Sequence, residues 1–284
     1  MILVTGANGQ LGSDVCAILK AQNRAHLGVD VDVLDLTDEA AVQAFFADHS
    51  DITAVIHCAA YTAVDKAEDD FETCTKVNVL GTTYLASCCA DIPFLYISSD
   101  YIFGSNGTEP LETTNPAAPQ GVYAKSKYAG ELAVETLCKQ FYIVRTSWVF
   151  GEKDTNFIAT ILRLADTHDT LRVVFDQVGA PTYSRHLAAL LCEMIESGKY
   201  GVYHATNEGE CSWFELAQYI LNAEDKATAV LPVTTESYGA KAPRPLNSRL
   251  SKKSLDENGF SRLPPWQDAV NEYLKHRTKL LNNI

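Results

Sequence analysis

The chain has 284 residues, 46% of them hydrophobic, and a formal net charge of −13. That is enough apolar material for one large or two unequal domains with a full core, and the acidic balance argues against a nucleic-acid partner. No apolar run approaches membrane-spanning length and no basic-then-apolar leader precedes the first strand pattern, so a protein without membrane partners, residing in the cytoplasm, is expected.

Met1 to Thr5 is a short, branched apolar run that reads as a buried strand. It leads into Gly6-Ala-Asn-Gly9-Gln10-Leu11-Gly12 and a helical pattern carried by Leu11, Val15, Ile18 and Leu19. Strand, glycine turn and helix in this order predict a dinucleotide site. Gly6 permits the tight turn, Gly9 admits a pyrophosphate to the backbone, Gly12 lets the helix approach the sheet, and the helix N-terminus offers unpaired N–H groups to phosphates. The spacing is G-x-x-G-x-x-G rather than the commoner dehydrogenase form, and an ordinary loop is the competing reading.

His26 to Asp30 reads as the second strand. Its terminal acid suits the adenosine ribose hydroxyls and would repel a 2′-phosphate. Asp32 and Asp35 compete for that role, and a solvated turn acid is the alternative. No arginine follows Asp30, which tilts the expectation towards NADH over NADPH. A helix is predicted from an N-cap at Thr37 to about Asp48. Ala54 to Cys58 forms the next strand, and Ala59-Ala60-Tyr61-Thr62 follows at its carboxyl end, where open parallel sheets bind ligands.

One long helix is predicted from Phe71 to Ala90, containing Asn78 and Gly81. Phe94 to Ser98 returns to the sheet, which puts Ser98-Ser99-Asp100-Tyr101 at another strand end. Gly104 to Gly121 reads as a surface loop able to cover a cleft. Next, Tyr123-Ala-Lys-Ser-Lys127 opens a helical pattern with a phenol and an ammonium on one face. A fixed cation favours the phenolate and would bring Tyr123 nearer to working range, although an amphipathic helix carries such pairs for packing alone.

Tyr142 to Trp148 is read as a sixth strand, beyond which the alternation weakens. The expected fold class is α/β with a doubly wound parallel sheet. Residues 1–150 form a dinucleotide-binding domain to which a segment near 183–205 returns, and residues 151–284 form a smaller substrate-binding part. In that part Lys241, Arg244, Arg249, Lys252 and Lys253 make a run of cations with no acid among them. It is either a solvated basic loop or a clamp for an anionic substrate such as a nucleotide diphosphate. The eight cysteines show no C-x-x-C spacing and are expected as free, mostly buried thiols. The seven histidines are dispersed, so no catalytic transition metal is expected.

The glycine turn, the hydroxyl strand end and Tyr-x-x-x-Lys in this order resemble the extended short-chain dehydrogenase/reductase superfamily. Ala59 to Glu68, Ser98 to Phe103, Val122 to Glu131, Arg145 to Phe150, Gly179 to Thr182 and Arg244 to Ser248 narrow the resemblance to the dTDP-4-dehydrorhamnose reductases, along nearly the whole chain. The resemblance implies a Rossmann-type fold and an NADH- or NADPH-dependent reduction of the C4 ketone of a dTDP-6-deoxy-4-ketohexose, yielding dTDP-L-rhamnose. By position, Tyr123 is the implied proton donor and Lys127 holds the nicotinamide ribose and tunes Tyr123. Ser99, where the family usually has threonine, binds the substrate oxygen. Gly9, Gln10 and Leu11 are implied at the pyrophosphate, in the cofactor turn that Gly6 and Gly12 shape, Asp30, Asp35 and Leu36 at the adenosine end, and Ala60, Tyr61 and Thr62 in the middle of the site. Asp100 and Trp148 are implied on the dTDP-sugar, and Arg244, from the basic run, is expected at the substrate pyrophosphate.

Some members of that family dimerise through magnesium held by acids that include the position of Asp14. One matching acid is too little to predict a metal, and monomer or homodimer stays open. Related 4,6-dehydratases carry an Asp-Glu pair where this chain has Asp100-Tyr101, which ranks a reductase above a dehydratase. Two alternatives remain: another nucleotide 4-ketosugar reductase, and a noncatalytic subunit resembling the regulatory partner of methionine adenosyltransferase.

Overall fold

The computed structural model describes residues 1–104, 107–153 and 155–281. Strands β1 (Ile2–Thr5), β2 (His26–Val29), β3 (Ala54–His57), β4 (Phe94–Ser99) and β5 (Phe141–Thr146) build the first lobe. The chain then leaves through β6 (Val149–Phe150), β7 (Thr170–Val174), β8 (Val178–Gly179) and β9 (Thr182–Tyr183), and returns as β10 (Gly201–His204). Strands β11 (Cys211–Ser212), β12 (Ala229–Val233) and β13 (Asn247–Ser248) follow. The main sheet has six parallel strands in the order β10-β5-β4-β3-β1-β2. It is a doubly wound α/β sheet, and its strand order reverses beside β1, the place where such sheets leave a crevice.

Helices α1 (Gln10–Ala21), α2 (Glu39–Asp48), α3 (Val64–Ala67), α4 (Phe71–Thr75), α5 (Thr82–Ser87), α6 (Gly121–Leu137), α7 (Phe157–Ala165), α8 (Ser184–Met194) and α9 (Trp213–Ala223) surround these strands. The strands read as near-continuous apolar runs because both faces of the sheet are covered. On one face Ile2, Val4, Ile56 and Val144 pack against Val15 and Leu19 of α1 and Leu187 and Leu191 of α8. On the other, Leu3, Val55, Phe94 and Ile143 meet Val42 of α2, Leu85 of α5 and Val134 of α6. A separate core in the second lobe gathers α7, α9 and the helix Trp266–Leu281 around Phe150, Tyr183 and Tyr273. All eight cysteines are free thiols. Among the described residues no helix is long and apolar enough to cross a membrane.

Three local expectations change. The N-cap of α2 is Asp38 rather than Thr37: the Asp35 carboxylate takes both the N–H and the hydroxyl of Thr37, leaving Asp38 to accept from Ala41 N–H. The helix expected from Phe71 to Ala90 is broken by a π-turn over Lys76–Gly81. There the Asn78 side chain accepts from Tyr61 N–H at 2.8 Å and donates to Ser126 Oγ at 2.9 Å, so the wide turn lets a polar side chain reach inward. The strand near Tyr142 is the fifth in chain order, and it ends at Thr146 because Trp148 takes a left-handed φ of 51° that turns the chain away.

Ser105 and Asn106 of the predicted loop lie outside the described residues. The loop around them is fastened: Leu111 bridges to Leu250, Ala118 N–H donates to Ile102 O at 2.8 Å, and Arg145 Nη1 donates to Thr113 O at 2.9 Å. The same Arg145 makes a bidentate pair with Glu131 of α6 at 3.0 and 2.7 Å, with the side chains 7% and 1% exposed. Removing one partner of such a pair leaves a dehydrated charge uncompensated. Glu131→Ala is therefore expected to cost about 3–5 kcal/mol, read as a lower urea midpoint at unchanged slope. Wild-type stability in that variant would show the pair to be idle.

Candidate active site

A cleft of about 810 Å³ runs along the carboxyl ends of β1, β3, β4 and β5. Its wall takes Gly6, Gly9, Gln10, Leu11 and Gly12 from the turn after β1, and Asp30, Asp35 and Leu36 from the segment after β2. Ala60, Tyr61 and Thr62 come from beyond β3, Ser99 and Asp100 from the end of β4, Tyr123 and Lys127 from α6, and Trp148 from beyond β5. The predicted site residues thus converge on one cleft, except Arg244.

The glycine turn is as tight as its composition suggests. A Cβ on Gly6, whose φ is 66°, would fall 2.7 Å from Ala59 N, and one on Gly12 would fall 2.1 Å from Gly6 O. No side chain caps α1, so its first N–H groups stay available to an anion, and the bare cradle beside them fits a dinucleotide pyrophosphate. Asp30 binds this turn to the end of β2, accepting from Asn8 N–H and Val31 N–H at 2.9 Å each. One lone pair remains on each of its oxygens. Of the two competing acids, Asp35 is on the wall and Asp32 is not.

Tyr123 lies in the first turn of α6. The N-cap residue Gln120 offers no side-chain bond, and the Glu68 carboxylate, just beyond α3, accepts from Val122 N–H at 2.8 Å instead. A carboxylate at this end also complements the helix dipole. The Tyr123 phenol shares the wall with Ser99 and meets the Tyr101 ring edge-on at 5.5 Å. Burial raises its pKa above the ordinary phenol value. This corrects the expectation that Lys127 would favour a phenolate, since the dehydration of the phenol outweighs any nearby cation. Lys127 itself, 3% exposed, has its ammonium 4.1 Å from the Tyr96 ring centre, and burial lowers its pKa to about 7.

Two buried groups behind the cleft are given no role by the sequence reading. His57 is paired with the Thr5 and Thr82 hydroxyls at 2.7 and 3.1 Å, and burial, then the Lys127 charge, lowers its pKa to about 3. It is a neutral strut. Asn78 holds the backbone of Tyr61 on both sides, with Nδ2 donating to Tyr61 O at 3.1 Å. Neither carries a local motif, because each acts through a turn or a partner distant in sequence.

On the second-lobe side Trp148 stacks on Trp213 at 3.7 Å and 17°, and both rings lie on the wall. Trp213 was also missed. Ser212-Trp-Phe-Glu215 is a legible capping box, but it marks a helix start and says nothing of the stacking.

The basic run is not an unpaired loop. Arg244 makes a bidentate pair with Asp65 of α3 at 2.9 and 2.6 Å, Lys241 pairs with Asp69, Arg249 with Glu210 at 2.7 Å, and Lys253 with Glu257 at 3.5 Å. Burial lowers the pKa of Lys252. Apart from Glu257, one turn beyond Lys253, the acids that the run lacks in sequence are supplied by distant segments.

The family model described as the RmlD substrate binding domain matches residues 1–279. The chain belongs to the RmlD family. It is 39% identical to the spore coat polysaccharide biosynthesis protein SpsK of Bacillus subtilis over 98% of each chain. It is 38% identical to a dTDP-4-dehydrorhamnose reductase of Mycobacterium tuberculosis, covering 95% of this chain and 90% of that one. A crystal structure of the dTDP-4-dehydrorhamnose reductase of Bacillus anthracis in complex with NADP superposes with a TM-score of 0.93 at 36% identity, covering 97% of this chain and 98% of that one.

In this RmlD-family chain the glycine cradle has no room for a methyl group. Gly12→Ala must push α1 off the turn, at an expected cost of about 1–3 kcal/mol from overpacking, and should weaken dinucleotide binding in a fluorescence titration. Unchanged affinity would show that the contact between turn and helix is dispensable for the cofactor.

Proposed function

We propose that this protein reduces the C4 ketone of dTDP-4-dehydro-6-deoxy-L-mannose to dTDP-L-rhamnose, using NADH or NADPH. The carrying observation is that Tyr123, Ser99 and Lys127 line one cleft together with a bare glycine cradle. Relatives named dTDP-4-dehydrorhamnose reductase at 36–38% identity, aligned over 95% of this chain, support the substrate class. Residues 1–150, with the returning segment near 183–205, are assigned to the dinucleotide, and residues 151–284 to the sugar nucleotide.

The bound nicotinamide supplies a hydride. As it arrives, negative charge grows on the ketone oxygen and a proton must reach that oxygen to avoid a costly alkoxide. Tyr123 holds this proton, because its half-buried phenol, with its pKa raised by dehydration, stays neutral. Ser99 donates a second hydrogen bond to the same oxygen, and Lys127 steadies the phenolate left behind. The Lys127 pKa is lowered to about 7, so its charge is present below that pH and fades as pH rises through it. Tyr101, the residue where the related dehydratases carry glutamate, is a half-buried phenol whose pKa is raised by loss of water around it. It keeps its proton and makes a poor base, which favours reduction over dehydration.

Gly9, Gln10 and Leu11 are assigned to the pyrophosphate, Asp35 and Leu36 to the adenosine end, and Ala60, Tyr61 and Thr62 to the middle of the site. Trp148 is assigned to the substrate. Arg244 serves indirectly, by fastening its segment to α3, whose Val64 lines the cleft.

Asp30 at the ribose hydroxyls would repel a 2′-phosphate. NADH should therefore serve at least as well as NADPH, and Asp30→Ala should weaken NADH most. A kcat/KM that strongly favours NADPH, with NADH binding untouched in Asp30→Ala, would move the ribose contact to another acid. Tyr123→Phe should leave folding and cofactor affinity nearly intact while lowering kcat by about 10²–10⁴-fold. Near-normal turnover of the ketosugar nucleotide by that variant, with chemistry shown to be rate-limiting by a deuteride isotope effect, would refute the reading.

A further inference from the structure

Asp100 at the end of β4 is 1% exposed, and both of its carboxyl oxygens are engaged. Ser99 donates its hydroxyl to Oδ1 at 2.9 Å, and Ser248 of β13, in the second lobe, donates its hydroxyl to Oδ2. Tyr101 N–H in turn donates to Ser99 Oγ at 3.3 Å. A hydroxyl has one hydrogen and two lone pairs. In this arrangement the Ser99 hydrogen is committed to Asp100, so Ser99 has only a lone pair to offer the cleft.

A ketone oxygen is itself only an acceptor. Ser99 can donate to it only if Asp100 stops taking the hydrogen, and the contact survives that reversal only if Asp100 brings a proton of its own. Ser99 then accepts from Tyr101 N–H and from the Asp100 carboxyl, and its hydrogen turns to the ketone. Both lone pairs and the single hydrogen are used.

We propose that Asp100 is a positioning residue which, as a neutral acid held by Ser248, donates to Ser99 and aims the Ser99 hydrogen at the substrate ketone. The proposal rests on the reductase reading. The surroundings suit it. Burial raises the Asp100 pKa to about 6, against the bonds from Ser248 and Ser99, which lower it. Tyr101 on its own turn and Tyr123 from α6, both phenols with raised pKa, face Asp100. Ser248 from β13 is uncharged, and Lys127, lowered to about 7, shares the cleft. A raised carboxyl pKa means that the proton is held below about 6 and lost as pH rises through it. The kcat/KM of the wild type should therefore begin to fall on that limb, ahead of the loss of the Lys127 charge.

The test compares pH profiles of kcat/KM for the wild type, Asp100→Asn, Asp100→Ala and Ser248→Ala. Asp100→Asn keeps the shape and carries a permanent donor for Ser99, so it should retain the low-pH plateau and lose the limb near 6. Asp100→Ala leaves Ser99 unaimed and should lower kcat by up to roughly 10²-fold, as for a lost oxyanion donor. Ser248→Ala removes a bond that favours the ionised form, so the limb should move to higher pH. Infrared titration of the NADH-loaded protein, with Asp100→Asn as the blank, reads the same carboxyl without turnover. A carboxyl that titrates in the ordinary range, or an Asp100→Asn variant that keeps the wild-type limb or falls as far as Asp100→Ala, overturns the proposal. Wild-type protein that never turns over a ketosugar nucleotide overturns the underlying reductase reading instead, and that failure is visible before any variant is made.

Discussion

The dehydration of ionisable groups at the carboxyl edge of the sheet is the constraint on which the site depends. Lys127 is held almost out of water over the Tyr96 ring, and the groups around it keep the forms that cost least there. Tyr123 stays a neutral phenol and His57 a neutral imidazole, and Asp100 is shifted towards its neutral acid. Where a full charge is retained in the interior, as in Arg145 and Glu131, it is matched by a bidentate partner. The same low polarity that makes a phenolate expensive at rest gives a neighbouring ammonium its leverage when one forms.

The pieces of the site are braced from outside it. Glu68 caps the helix that carries Tyr123, while Asp65 and Asp69 from the same short stretch hold Arg244 and Lys241 of the second lobe. Residues 65–69 thus join the catalytic helix to the basic segment. Ser248 makes a second bridge, from β13 to the end of β4. The two lobes meet through hydrogen bonds and ion pairs as well as through apolar packing, which fixes the angle at which they face the cleft.

The sequence made legible whatever is local. The glycine turn, the strand ends and the Tyr-x-x-x-Lys spacing each follow from residues within one or two turns of each other, and their convergence on one cleft follows from the parallel sheet. What escaped is non-local. Lys241 to Lys253 reads as unpaired because its acids lie far away in the chain, at Asp65, Asp69 and Glu210. Asn78 sits in a helical pattern whose π-turn depends on the backbone of Tyr61. The protonation of Tyr123 went the other way because spacing shows a neighbouring cation but not the loss of water around the phenol.

The path of the chain also decides in what sequence the molecule can be completed. It leaves the first lobe after β5 and comes back only with α8 and β10, which cover one face of the sheet through Leu187 and Leu191 and supply its last strand beside β5. During synthesis, roughly the first two hundred residues must have emerged before that sheet can close. Until then β5 presents an open edge, the kind of surface that pairs with a stranger's strand. The lobes are therefore interleaved halves of one folding problem, and a fragment cut after β5 would keep the cofactor turn while losing the lining that keeps the sheet dry.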